Sequence, residues 1–376
     1  MADVHSLLRY ESDHCHGPSP SAYSPAQISR YLQQICFPAS MLAGPRDITF
    51  LRVLHALQIA TVPYENLSLH YNASHNNSID LQDIYTKFVT DDRGRGGYCI
   101  ETALFFREIL RALGFRAYLT MARIRLRENG VPQGPFVGYR HCTNIVIFDD
   151  GTRYSSDVGF GGDGPTVPLA LEAITPGDDG PHEVSRESPG AANGTSTATA
   201  IARNLGSQHI RLLYGPFPDS TDPNTNNVWT YQYRNSATQE WNSFYAFGEH
   251  EAFENDFIAP NYWVSTSNDS FQRHKLLIVK FILSGKGGRI MADPDNARTI
   301  VESKGNAFEE GSGGHGLIAG KIMLVQGVVK RNLGGKTTVV QECKTEDERV
   351  KALDQWFGIT LTQDQIEGIR GYETEL

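Results

Sequence analysis

Apolar residues recur at helical spacing through the first third of the chain. SPAQISRYLQQI, from Ser24, reads as a capped amphipathic helix. ITFLRVLHALQIATV continues the helical pattern until Pro63 stops it. LQDIYTKFV, from Leu81, predicts another short helix, and the apolar run from Cys99 to Gly114 predicts a long one. The period then changes. FRAYLTMARIRLR alternates at every second residue, as a strand does. HCTNIVIF and TRYSSDVGF flank Asp149-Asp150-Gly151, which is a hairpin signal. HIRLLYG and VWTYQYR read as further strands, and a helix is expected around Asp256. KLLIVKFIL and KIMLVQGVVKR read as strands of a last subdomain, separated by a Gly-rich loop near Gly311 to Gly320. DERVKALDQWFGI reads as the final helix. Between the two strand-rich parts lies TPGDDGPHEVSRESPGAANGTSTATA, from Thr175 to Ala200. It carries few large apolar residues, so a mobile insertion is expected there.

Composition narrows the function classes. The 376 residues are ample for two or three domains with a real core. A formal charge of -9 argues against nonspecific nucleic-acid binding, yet leaves room for a local basic pocket. No basic flank precedes an apolar core at the start, and no stretch is long enough to span a bilayer. The five cysteines, Cys15, Cys36, Cys99, Cys142 and Cys343, are scattered and form no CxxC. Neither a disulfide framework nor a zinc site is indicated, and a cytoplasmic protein with free thiols is expected. HCH at His14 to His16 reads as a solvated arm, because adjacent residues rarely converge on one ion. No metal, nucleic-acid or membrane partner is expected.

Cys99 stands where a glycine-rich loop, RGRGGYC, becomes a helix. Helix N-termini carry unpaired N–H groups and about half a positive charge. A thiolate placed there is stabilised, and the same N–H groups can stabilise an oxyanion. The position suits a nucleophile; the bland alternatives are a phosphate loop or a tight turn, and the GK[ST] ending of a phosphate loop is missing. A thiol nucleophile needs a base, and the base an orienting group. Among twelve histidines, His141 opens the first strand of the hairpin, and Asp157 lies near the end of the second. A three-residue loop, Asp149 to Gly151, sets Phe148 opposite Thr152 and Thr143 opposite Asp157. Asp157 is then a diagonal neighbour of His141, about 7–8 Å away between backbones. A two-residue loop would send Asp157 to the opposite face.

Together these pieces resemble the arylamine N-acetyltransferase family. RGGYC at Arg95 to Cys99 is similar to its cysteine motif, His141 before an apolar strand to its histidine, and DVGFG at Asp157 to Gly161 to its aspartate motif. VPYENL at Val62 to Leu67 is similar to the family's VPFENL element, and WFGITL at Trp356 to Leu361 to its closing helix. The resemblance implies an α+β fold: a thiol-protease-like core with a helical N-terminal domain, a β-barrel second domain and an α/β C-terminal lid. The helical domain, 1–115, would carry the nucleophilic cysteine. The barrel domain, 116–248 with the insertion near 175–200, would carry the histidine and aspartate; the lid would be 249–376. It also implies a cytoplasmic enzyme of xenobiotic metabolism, with acetyl-CoA or another acyl-CoA as co-substrate and no metal. In its ping-pong mechanism Cys99 takes the acyl group, His141 shuttles protons, Asp157 orients His141, and an aromatic amine or hydrazine attacks the thioester.

The resemblance extends to softer positions. Tyr64, Tyr98, Ile124 and Phe160 match positions lining the substrate pocket, and Gly138 a glycine that lets the pantetheine arm pass. Each is equally readable as core or loop. Ala103 departs from the asparagine common after the cysteine motif. The chain length resembles longer fungal members, some of which prefer donors other than acetyl. A malonyl donor would need a cation near Cys99, with Arg123 and Arg140 as candidates. The rivals are a cysteine hydrolase or transglutaminase-like enzyme using the same three residues, and a non-enzymatic module that binds a small aromatic.

Overall fold

The computed structural model describes residues 20–172, 196–222, 224, 226–284 and 317–376. Among the described residues five α-helices precede the cysteine: α1 (Pro25–Gln34), α2 (Ala39–Leu42), α3 (Ile48–Thr61), α4 (Ser68–Tyr71) and α5 (Leu81–Tyr85). Ser24 and Gln27 close a capping box on α1, with Pro25 in the first turn. The Asp47 carboxylate accepts the Phe50 N–H at 2.9 Å to start α3, which is buried on nearly every face. The turn Thr86–Thr90 extends α5, and α6 (Cys99–Ala112) then runs through the core. Gly114, at φ 90°, ends that run as the sequence predicts.

Two sheets flank this helical layer. The larger has nine strands: β2 (Arg116–Glu128), β3 (Val131–Ile147), β4 (Arg153–Ser156), β5 (Leu169–Ala170), β6 (Thr197–Ala198), β7 (Ala202–Arg203), β8 (His209–Pro216), β9 (Asn227–Arg234) and β10 (Asn242–Phe247). Its order is β5-β4-β3-β2-β10-β9-β8-β6, with β7 beside β8. The second sheet takes β1 (Tyr64–Glu65) from the first third of the chain and pairs it with β11 (Leu277–Leu283). There follow β12 (Ile318–Val325), β13 (Val328–Asn332) and β14 (Thr338–Glu342). Helices α7 (Ile258–Thr266) and α8 (Phe271–His274) bridge the sheets in sequence; α9 (Glu346–Ala352) and α10 (Gln363–Gly368) close the chain.

Several expectations need correction. β3 starts at Val131, so His141 lies inside the strand rather than at its opening. VPQGPFVGYR holds two Pro and two Gly and carries little strand preference of its own. It is held instead by pairing with β2 through register shifts. The second hairpin strand stops at Ser156 and leaves Asp157 in the following loop. KIMLVQGVVKR is two strands, β12 and β13, because Gln326 takes φ 55° in a turn. DERVKALDQWFGI is not the last helix, since α10 follows. Of the expected insertion, Thr197–Ala198 is a strand paired with β8; residues 175–195 lie outside the described residues. Residues 318–320 of the expected Gly-rich loop belong to β12, while 311–316 and His14 to His16 also lie outside them.

The loop before α6 is packed backbone against backbone. A Cβ added to Gly96 would lie 1.9 Å from the Pro63 carbonyl oxygen. Gly96→Ala should therefore destabilise the fold by about 3 kcal/mol through overpacking, read as a lower denaturant midpoint with unchanged slope.

Candidate active site

The VPYENL and RGGYC stretches meet. The Glu65 N–H donates to the Gly97 carbonyl at 3.0 Å, and the Gly97 N–H to that of Pro63 at 3.3 Å. The Glu65 carboxylate accepts from Arg95 Nε at 2.9 Å, from the Gly96 N–H at 3.2 Å and from the Leu67 N–H at 2.5 Å. Both charged side chains are buried. Burial opposes the Glu65 charge, but Arg95 and Lys87 outweigh it and hold its pKa below the ordinary value. Glu101 caps the same turn: its carboxylate accepts the Tyr98 N–H at 3.2 Å and pairs with Lys87. Gly97 has no room for a Cβ, which would lie 2.6 Å from that carboxylate.

Cys99 is the first residue of α6 and is buried. Its sulfur lies 3.5 Å from the Arg140 carbonyl oxygen and is hydrogen-bonded to the His141 side chain. His141 Nε2 lies 2.7 Å from Asp157 Oδ2, which leaves Nδ1 for the thiol. The hairpin has the three-residue loop: Phe148 N–H donates to the Thr152 carbonyl, and Asn144 pairs with Ser156. Asp157 thus follows the last paired residue on the His141 side. Its Oδ1 accepts the Gly159 N–H at 2.9 Å, and the Tyr245 hydroxyl donates to the carboxylate. A Cβ on Gly159 would lie 2.4 Å from Thr102 Oγ1, so the DVG turn needs glycine to approach α6. Asp157, although buried, keeps a depressed pKa because the His141 charge and these hydrogen bonds outweigh desolvation.

The other expected positions divide. Phe160 stacks edge-on to His141 at 5.0 Å and on Tyr245 at 4.8 Å. Tyr64 and Phe160 share with Asp157 a cavity of about 10 Å³, walled by Ile59, Val62, Val158, Val279 and Phe281. Tyr98 is turned away from it, fully buried with its hydroxyl bonded to Asn261. Ile124 pairs with Tyr245 and packs on the Phe160 cluster without lining that cavity. Gly138 is exposed, and a Cβ there would meet nothing within 4 Å, so protein packing does not require glycine. Arg123 lies over the Tyr139 ring at 4.3 Å, and Arg140 over Trp263 at 3.5 Å. The Ala103 carbonyl accepts from Asn144 Nδ2 at 3.2 Å, which ties β3 to the cysteine helix.

Sequence reasoning missed Tyr245, Gln272 and Arg127. Tyr245 lies on β10, whose short run NSFYAF has strand-forming aromatics as its one signal. Gln272 donates from Nε2 to the Tyr64 hydroxyl at 2.5 Å from a one-turn helix that no pattern marks. Arg127 lies over Phe160 at 5.5 Å and pairs with Asp163 at 3.1 Å. Among the described residues no group of three or more His, Cys, Asp or Glu is placed to hold a metal ion. No described helix is long and apolar enough to cross a membrane.

Known proteins share this arrangement of sequence and fold. Residues 47–203 match the sequence model of the N-acetyltransferase family. Over 376 aligned positions the chain is 26% identical to the N-malonyltransferase FDB2 of Fusarium pseudograminearum (strain CS3096), covering 93% of each. It is 25% identical to the arylamine N-acetyltransferase of Escherichia coli (strain K12), over 65% of this chain and 70% of that one. The fold matches the arylamine N-acetyltransferase from Mycobacterium abscessus with a TM-score of 0.63 at 19% identity, over 93% of this chain and 95% of that one. It matches the Mycobacterium marinum enzyme in complex with CoA with a TM-score of 0.62 at 20% identity, over 92% and 99%.

The buried pair gives a pH signature. Burial opposes the His141 imidazolium, but the Asp157 carboxylate, and then Cys99, outweigh it and raise the pKa to about 10. Its contribution to stability is complete below the unfolded value of about 6.5 and is lost as pH rises through about 10. The Asp157 contribution is lost instead in acid, as pH falls through its depressed value. The melting-temperature gap between wild type and His141→Gln should accordingly narrow steadily from about pH 6.5 to pH 10, measured by thermal melts in matched buffers.

Proposed function

We propose that this chain, whose residues 47–203 match the sequence model of the N-acetyltransferase family, is an acyl-CoA-dependent N-acyltransferase working through a thioester on Cys99. The observation that carries the reading is one unbroken hydrogen-bonded line, Cys99 to His141 to Asp157, beginning at a helix N-terminus. In the first half-reaction the thiol proton passes to His141 and the sulfur attacks the acyl carbonyl. The Sγ–C bond forms, the C–S bond to CoA breaks, and CoA leaves with the proton. Asp157 keeps the imidazolium charge balanced and the ring oriented. In the second half-reaction an aromatic amine attacks the thioester, its N–C bond forms, Cys99 departs, and His141 takes the amine proton. Thiol-for-thiol exchange is nearly balanced, and amide formation draws the sequence forward. The aromatic wall of Phe160 and Tyr64 supports an aromatic acceptor.

A malonyl donor is favoured over acetyl by the whole-length likeness to an N-malonyltransferase, which covers 93% of both chains. The Arg140 backbone carbonyl touches the Cys99 thiol, while its guanidinium rests over the Trp263 ring. Intact mass after mixing with malonyl-CoA or acetyl-CoA, without amine, tests both points. Wild type should gain one acyl group, more completely from malonyl-CoA, and release it to an aromatic amine; Cys99→Ala should gain none. Peptide turnover without CoA, and no adduct from either donor, would support a cysteine hydrolase instead.

A further inference from the structure

We propose that the Tyr64 hydroxyl is a catalytic hydrogen-bond donor to the acyl oxygen, in a reaction that rests on the thioester reading above. A phenol stands here in place of the phenylalanine of VPFENL, and its oxygen is held in one direction. Gln272 Nε2 donates to it at 2.5 Å. Gln272 cannot turn its amide over, because its Oε1 accepts from Asn66 Nδ2 at 2.9 Å. Asn66 is itself fixed, donating to the Gln272 and Lys275 carbonyls and accepting the Leu277 N–H at 2.8 Å. A hydroxyl whose oxygen already accepts from an amide keeps its own proton for another acceptor. Among the described residues no group accepts that proton.

The surroundings leave the substrate as its acceptor. The cavity that Tyr64 lines is walled by aliphatic and aromatic side chains, with Asp157 the other polar one, and Asp157 is already bonded by His141, Gly159 and Tyr245. At about 10 Å³ the cavity holds roughly one water. The backbone of Tyr64 bridges to Gly97, two residues before the nucleophile. Burial, and then the Cys99 charge, raise the Tyr64 pKa, so the phenol stays protonated. The oxygen beside the Cys99 sulfur becomes charged during transfer. As Sγ, or later the amine, attacks, the carbonyl π pair moves onto oxygen; as the intermediate collapses, the pair returns and the C–S bond breaks, to CoA in the first half-reaction and to Cys99 in the second. The same oxyanion forms in both half-reactions. A neutral O–H in a low-dielectric pocket strengthens its hydrogen bond as that charge grows.

Tyr64→Phe removes one oxygen and leaves the ring in place. Stopped-flow acylation of Cys99 by acetyl-CoA and by malonyl-CoA, then discharge by 4-methylaniline, reads both half-reactions. Loss of one oxyanion donor should slow each step by about 100-fold, with both donors alike; the buried Gln272 amide also loses its acceptor, so the thermal midpoint falls modestly while the protein stays folded at the assay temperature. A loss confined to malonyl-CoA would overturn the proposal, because the hydroxyl would then be reading the donor carboxylate. So would a change confined to KM for the amine, or rates within about threefold of wild type. A wild type that neither donor acylates removes the thioester reading, and this proposal with it.

Discussion

The buried pair of Arg95 and Glu65 holds the reactive end of the molecule together. It fastens the loop before Cys99 to the strand that carries Tyr64, and the Glu65 carboxylate also collects two backbone N–H groups. Removing one partner of such a pair leaves an unpaired buried charge, at a cost of about 3–5 kcal/mol. Around this pair the chain can tolerate only glycine at positions 96 and 97, where a Cβ would strike the Pro63 carbonyl or the Glu101 carboxylate. The start of the cysteine helix is therefore set by tertiary contacts as much as by its own sequence. Its first turn is capped by Glu101, and that carboxylate is compensated by Lys87.

Much of this site was legible in the sequence, and for identifiable reasons. The Asp-Asp-Gly signal marked the hairpin and left its loop at two or three residues; the structure has three, and that register puts His141 and Asp157 on one side. Turn chemistry and parity are local properties, so they can be read without a fold. The clamp was not legible in that way. VPYENL and RGGYC were both visible as motifs, but nothing local says that Glu65 reaches Arg95. Tyr245 and Gln272 were missed for the same reason: each sits in a short, weakly patterned element whose importance comes from what lies across from it. The opening of β3 failed differently. Its Pro and Gly residues argue against a strand, and pairing with β2 overrides them.

The basic residues near the site illustrate a further limit of sequence reading. Arg123 and Arg140 were candidates because of their place along the chain. The fold rests each guanidinium on an aromatic ring, Tyr139 and Trp263. Arg127 pairs with Asp163, which Lys321 also reaches from the second sheet. Charge near Cys99 is thus distributed by stacking and pairing partners, and some of those partners, Trp263 and Lys321, come from elements far away in sequence.

The pairing of β1 with β11 has a consequence for how the protein is made. Tyr64 and Glu65 emerge from the ribosome long before Ile278 and Val279, their partners in the second sheet. Asn66 likewise waits for Gln272 and Leu277. Until that later stretch arrives, the strand beside the cysteine loop has an open edge and the Tyr64 hydroxyl has no amide to orient it. Domains generally fold as they are synthesised, yet here Cys99 precedes the partners of its neighbouring strand by nearly half of the chain. The cysteine loop therefore sits beside an open strand edge until about three quarters of the chain has been made.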